Sequence, residues 1–212
     1  MFYAALDVSL RSVAVCIIDG DGKVRLERSV PSDVPDLVRC LNEFGEPIHQ
    51  VGLEAGTLTQ HLTYGLREAG FEVVCMEARQ VAAALSAMRN KTDKHDARGI
   101  AQILRSGWYS RVHVKSVESH HLRALLTCRK VMQRKCIDLE NEIRGLLKIF
   151  GVKLPMRLSR GAFDVAVRDT IESDPALSHA LLPMLHARQV LFASFMELDR
   201  RVRKAAHEDE IC

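Results

Sequence analysis

The sequence lacks the marks of export. Its opening residues, Met1-Phe2-Tyr3-Ala4-Ala5-Leu6-Asp7, carry no basic stretch, and their apolar run is stopped by an aspartate. Neither a secretory signal nor a membrane span fits such a start, so no membrane partner and a cytoplasmic location are expected. Also missing is the spacing of a thiolate metal site or a disulfide framework. The six cysteines (Cys16, Cys40, Cys75, Cys128, Cys136 and Cys212) form no C-x-x-C pair and have no histidine at zinc-ligand spacing. They read as reduced thiols, mostly core filler. His120 and His121 are adjacent, and neighbouring side chains on a helix diverge, so they make no metal clamp.

What is present is the balance of a soluble folded protein. The 212 residues are 47% hydrophobic and 27% charged, enough for one α/β core with an extension or for two small domains. The net charge is only +3, but it is unevenly spread. Residues 1–110 hold 12 Lys and Arg against 14 Asp and Glu, whereas 111–212 hold 18 against 13. Within 115–160 the surplus sharpens to 11 against 4, the composition of a surface able to face phosphates.

Three short strands open the chain, at Phe2 to Val8, Val13 to Ile18 and Val24 to Val30, separated by Ser9-Leu10-Arg11-Ser12 and by the turn Asp19-Gly20-Asp21-Gly22. A helix capped by Asp33 runs to about Phe44, and a fourth strand covers Pro47 to Leu53. A second helix, Thr57 to Ala69, ends at Gly70, and a fifth strand spans Phe71 to Met76. Helices at Ala78 to Met88 and Asp93 to Arg105 follow, joined by Arg89 to Thr92. A three-stranded meander followed by two strand–helix repeats is the element order of an RNase H-like mixed five-stranded sheet with flanking helices. The first domain is expected over 1–110.

From Ser119 the pattern changes. Leu125, Met132, Leu139 and Leu146 recur every seven residues, with Leu122, Ile143 and Phe150 on the neighbouring row. Gly151 and Pro155 end this helix, and a loop is expected to about Asp174. A second helix then carries Leu177, Leu181, Met184, Leu191, Phe195, Leu198, Val202 and Ala205 at four-and-three spacing. Residues 111–212 thus read as a helical coiled-coil hairpin with a basic first helix. Its seam either closes within the chain or builds a homo-oligomer, and Arg129 and Arg188 interrupt it as register-setting residues do.

Four acids stand where a carboxylate adds nothing to a core. Asp7 closes the first strand, Glu54 follows Val51-Gly52-Leu53, and Asp93 and Asp96 share one face of a helix. Each alone has a structural reading: Asp7 capping a turn, Glu54 accepting backbone N–H groups, Asp93 as N-cap with Asp96 at N3. Taken together on this strand order, they point to a site for hard divalent cations, Mg²⁺ or Mn²⁺, which relieve carboxylate repulsion and leave positions open for phosphate oxygens and water. Two such ions roughly 3.5–4 Å apart serve phosphodiester chemistry. Arg89, Lys91, Lys94 and Arg98 flank the acids, and Arg129, Lys130, Arg134 and Lys135 lie on the basic helix, so all eight are candidate nucleic-acid contacts.

Leu6-Asp7-Val8-Ser9, Gly52-Leu53-Glu54-Ala55-Gly56 and Lys91-Thr92-Asp93-Lys94-His95-Asp96-Ala97-Arg98 resemble the D, E, D, D motifs of the insertion-sequence one-ten transposases. Arg123-Ala124-Leu125-Leu126 and Glu140-Asn141-Glu142-Ile143-Arg144-Gly145-Leu146 resemble that family's linker helix. The resemblance implies a RuvC-like DEDD domain with Asp7, Glu54, Asp93 and Asp96 as catalytic metal ligands, a coiled-coil region, and DNA transposition with a structured non-coding RNA as partner. It also implies a serine-bearing C-terminal domain, and the chain ends at Cys212 without one. The alternatives are an autonomous junction-resolvase-like nuclease and a non-catalytic RNA- or DNA-binding assembly module. A sugar-kinase-like module is disfavoured, because Asp7-Val8-Ser9-Leu10 is not a glycine-rich phosphate turn.

Overall fold

The computed structural model describes residues 1–86 and 93–208, and the side chains in these ranges except those of 93–95. It divides into two compact units, Met1–Lys115 and Ser116–Cys212.

Unit 1 is built on β1 (Phe2–Val8), β2 (Ser12–Asp19), β3 (Val24–Pro31), β4 (Ile48–Glu54) and β5 (Val73–Met76), ordered β3-β2-β1-β4-β5. The first three pair antiparallel, while β4 runs parallel to β1 and β5 parallel to β4. This is the mixed sheet expected of an RNase H-like α/β fold. Its turns are tied locally. At the β2–β3 turn Asp19 Oδ1 accepts from the backbone N–H groups of Asp21 (3.0 Å) and Lys23 (2.9 Å), and Oδ2 accepts from Arg25 Nε at 2.7 Å.

Alternation along the strands sends side chains to two cores. Ala4, Leu6, Val13, Val15, Val51 and Leu53 face α1 (Val34–Asn42) and α2 (Thr59–Glu68), which bring Leu37, Leu41, Leu62 and Leu66. Ala5, Cys16, Ile18, Val74 and Met76 face the other way, toward α3 (Ala78–Ser86) and α4 (Asp93–Ser106). From α4 come Ala97, Ile100, Ala101 and Leu104, the stripe of a helix lying along a sheet. Burial pushes the Cys16 thiol up to about 12, with Glu27 adding to the effect. Cys40, Cys75 and Cys136 are also buried with raised thiols, while Cys128 is exposed; these five described cysteines are all free.

Unit 2 holds α5 (Val117–Ile149), α6 (Arg160–Ile171) and α7 (Pro175–Glu208). The loop expected between Gly151 and Asp174 is in large part α6. Ser159 caps it by accepting from the N–H of Ala162, and Phe163, Val167 and Ile171 bury one turn apart on a single face. Such a short helix carries only three core residues and no heptad, which is why the seven-residue pattern passes over it. Helices α5 and α7 pack on each other. Their buried stripe on α5 passes through Cys136, Ile143 and Leu147, not Leu146, which is 37% exposed. Leu122 and Phe150, expected on the seam, are exposed as well. The stripe drifts because a helix of 3.6 residues per turn does not hold a strict seven-residue row. The two seam arginines are satisfied within the chain. Arg188, 2% exposed, donates from Nη2 to Glu140 Oε1 (2.6 Å) and from Nη1 to Asp164 Oδ1 (2.8 Å). Arg129 donates from Nε to Asp199 Oδ1 at 2.6 Å and lies over the Phe195 ring.

No helix among the described residues is long and apolar enough to cross a membrane.

Candidate metal centre

The register of the parallel strands creates the site. Leu6 pairs with Leu53, so the next residues, Asp7 and Glu54, stand side by side at the carboxyl ends of β1 and β4. Both follow a residue of the α4 face: Ala5 precedes Asp7 by two, and Gly52 precedes Glu54 by two. Glu54 also pairs with Met76, another residue of that face. The two carboxylates therefore leave the sheet on the side where α4 lies.

Helix α4 is fixed over that face at several points. Gln102 Nε2 donates to the Gly22 carbonyl (2.8 Å), and Arg105 Nη1 to the Gly20 carbonyl (3.1 Å), which holds the carboxyl end of α4 at the β2–β3 turn. That turn adjoins the start of β1, since Phe2 pairs with Asp19. The amino end of α4, with Asp93 and Asp96, is consequently directed toward the end of β1 that bears Asp7. Close approach depends on Gly52. A Cβ there would come within 2.9 Å of Leu104 Cδ2 and 3.0 Å of Met76 Cε, so the glycine of the Gly52-Leu53-Glu54 motif is what lets the helix settle on the sheet.

Electrostatics register the convergence. Burial raises the Glu54 carboxyl above the ordinary carboxylate range, and the negative charges of Asp7, Asp96 and Glu77 push it further in the same direction. The charges acting on Glu54 among the described residues are of its own sign. Among the described residues no three His, Cys, Asp or Glu side chains are gathered tightly enough to enclose a metal ion. The side chain of Asp93 is outside the described residues. Asp7 and Asp96 are each near enough to repel the Glu54 carboxylate, an arrangement that hard cations relieve.

Beside Asp7 and Glu54 opens a cleft of about 410 Å³, lined also by Ser9, Leu10, Thr57 and Thr59. Its size lies in the range of ligand-binding clefts. The β4–α2 turn on one wall is held by Thr59, whose Oγ1 accepts from the Gly56 N–H at 2.6 Å. The opposite wall is the β1–β2 turn, where Ser9 Oγ donates to the Ser12 carbonyl at 2.7 Å.

Glu77 is the residue missed in the sequence. It directly follows β5, whereas Glu54 is the last residue of β4, and its Oε2 accepts the N–H of Gln80 at 2.7 Å, capping α3. An acid ending the run Val73-Val74-Cys75-Met76 was the available signal.

The candidate nucleic-acid contacts separate into groups. Arg98 forms a two-pronged ion pair with Glu27 of β3, its Nη2 donating to Oε2 at 2.6 Å, and so anchors α4 to the sheet. Arg129 is likewise engaged with Asp199, and Lys135 pairs with Asp138 at 3.3 Å. Lys130 and Arg134 are exposed on α5. Arg89 and Lys91 lie outside the described residues, as does the side chain of Lys94.

A family model described as a transposase, that of the insertion-sequence IS110 DEDD enzymes, matches residues 4–151. Among solved structures, Thermus thermophilus RuvC is similar at 14% identity and a TM-score of 0.40, over 53% of this chain and 100% of its own. T. thermophilus RuvC in complex with a Holliday junction substrate is similar at 16% identity and a TM-score of 0.37, over 53% of this chain and 99% of its own. No curated protein matches.

Proposed function

The chain belongs to the IS110 DEDD transposase family, and from that premise we propose that Asp7, Glu54, Asp93 and Asp96 hold Mg²⁺ or Mn²⁺ and act on DNA phosphodiesters during transposition. The observation that carries this reading is the charge environment of Glu54, raised by Asp7 and Asp96 from separate elements of the fold. The donor set suits the ions: all-oxygen carboxylate ligands favour Mg²⁺ and Mn²⁺ over softer metals. When bound, such ions polarise a phosphoryl oxygen and lower the pKa of an attacking water or hydroxyl. The protein's own part is positional. Asp7 and Glu54 are fixed by strand pairing, Asp96 by the docking of α4, and the adjoining cleft admits the backbone of a strand while Ser9 and Thr57 offer hydroxyls along it.

The partners follow from unit 2. The exposed cations Lys130 and Arg134 support binding of DNA or of a structured non-coding RNA along α5. Exposed apolar residues of α5 and α7, among them Leu126, Ile137 and Val190, support a homo-oligomer through this unit.

Calorimetry with Mn²⁺ tests the centre directly. Asp7→Asn, and separately Asp93→Asn with Asp96→Asn, are expected to weaken Mn²⁺ binding by about 100-fold or more, above the roughly 10–100-fold that losing an outer-sphere partner costs. Unchanged binding in both variants would reject the assignment. Cleavage of branched DNA by this chain alone, dependent on Mg²⁺, would instead identify an autonomous nuclease.

A further inference from the structure

The turn joining α5 to α6 is built to present apolar side chains to solvent. Three of its residues point inward: Val152, Leu154 and Leu158 pack on the core of unit 2. Gly151, with φ of 78°, closes α5, and the Val152 N–H returns to the Leu147 carbonyl at 3.0 Å. Arg144 Nη1 holds the Leu154 carbonyl at 3.1 Å. With the backbone thus pinned, the remaining apolar side chains turn outward: Ile149 is 76% exposed, Phe150 58% and Met156 94%. Exposed apolar groups on a fixed loop mark an interaction surface more often than chance burial failure.

The charge of this tip selects the partner. Between Glu142 and Asp164 the sequence has five cations and no acid. Lys148, Lys153 and Arg157 are exposed and have no ion-pair partner among the described residues, unlike Arg98, Arg129 and Arg188. A second copy meeting it tip to tip would bring these cations together with nothing to offset them. An aromatic ring flanked by free cations is instead the chemistry of a single-strand platform, with bases stacking on the ring and phosphates meeting the ammonium and guanidinium groups. In a duplex the base faces are already covered, so the ring gains only from an unpaired strand.

We propose that the α5–α6 turn binds unpaired DNA, with Phe150 as the stacking residue and Lys148, Lys153 and Arg157 as phosphate contacts. Most of this turn lies past the residues matched by the family model, and the proposal is independent of the metal centre.

Fluorescence anisotropy of the full chain with a labelled single-stranded DNA, the duplex of the same sequence and the equivalent RNA, over a salt series, tests it. Phe150→Ala should weaken single-strand DNA binding about tenfold and leave duplex binding unchanged, and Phe150→Trp should restore it. Lys148→Gln, Lys153→Gln and Arg157→Gln combined should lower the salt slope by about 2, as three lost single-strand phosphate contacts require. Wild-type affinity in Phe150→Ala would overturn the proposal, as would sedimentation showing that this variant dissociates an oligomer, or equal Phe150 dependence for RNA. Mn²⁺ binding by the same variants should equal wild type, so failure here and failure of the metal centre remain separate results.

Discussion

Glu54 in unit 1 and Asp199 in unit 2 are carboxylates held in opposite ways. In unit 1, Glu54 is surrounded by acids, and its carboxyl is raised by burial and by Asp7, Asp96 and Glu77. In unit 2, Asp199 is held below the ordinary carboxylate range by hydrogen bonds from Arg203 and Arg129, and Glu140 and Asp164 share the buried guanidinium of Arg188. In unit 2 these acids are paired with arginines inside the chain, and the pairs fix helix register. In unit 1 Glu54 has Asp7, Asp96 and Glu77 near it, the like charges on which the proposed cation site rests. The contrast sets acids held in ion pairs apart from the acids of the proposed metal centre.

The sharpest way to break this comparison is Arg188→Ala. Two acids would lose their partner inside unit 2, with an expected loss of about 3 kcal/mol or more, the range for breaking one side of a buried pair. Thermal melting checks it, and adding Glu140→Gln and Asp164→Asn should recover part of the loss. A cost under about 1 kcal/mol would mean that ion pairing does not hold α5, α6 and α7 together.

A smaller effect is expected from Gly52→Ala. Leu104 is buried and has little room to yield, so the added methyl should cost about 1–3 kcal/mol. Because the methyl presses on the helix that bears Asp93 and Asp96, Mn²⁺ affinity should fall as well. Lost stability with unchanged Mn²⁺ binding would uncouple the docking of α4 from the site.

The smallest effect, and the most direct test of the contrast, is its pH dependence without metal. Glu54 has a raised folded pKa, so its ionised form disfavours folding. Acidification from neutrality protonates it earlier in the fold than in the unfolded chain, and unit 1 gains stability down to the ordinary carboxylate range. Asp199 has a depressed folded pKa. Its contribution is full above the ordinary range and is lost as the pH falls through the lower folded value. Hydrogen exchange resolved by unit, in chelator, should show unit 1 gaining stability from neutrality down to the ordinary carboxylate range, while the Asp199 loss in unit 2 sets in only below it. Glu54→Gln should remove the gain in unit 1, an effect under about 1 kcal/mol because solvent screens a part-exposed charge. Asp199→Asn should flatten the acid limb of unit 2. Parallel slopes in the two units would erase the distinction.

Much of unit 1 was legible from local pattern. Strand β1 runs over Phe2–Val8 as its apolar run ending at Asp7 indicates, and the meander with two strand–helix repeats gives the observed order. Unit 2 was less legible. Helix α6 has too few core residues to rise above a loop of mixed composition, and the α5 stripe follows Ile143 and Leu147 because a long helix rotates away from a strict heptad. Arg98 illustrates the remaining gap. Beside Asp96 it looks like a phosphate ligand, yet its partner is Glu27, 71 residues distant, and no local pattern reveals such a pair.

By itself the sequence determined which residues alternate, which turns break the strands, and that acids stand at strand ends, because these are properties of neighbouring side chains and backbone preferences. Only the tertiary structure decided that Asp7 and Glu54 are adjacent, that Gly52 admits α4, that Glu77 joins the acidic surroundings of Glu54, and which arginines are spent on internal pairs. Those outcomes depend on parallel strand register and helix docking, which bring together residues with no relation along the chain.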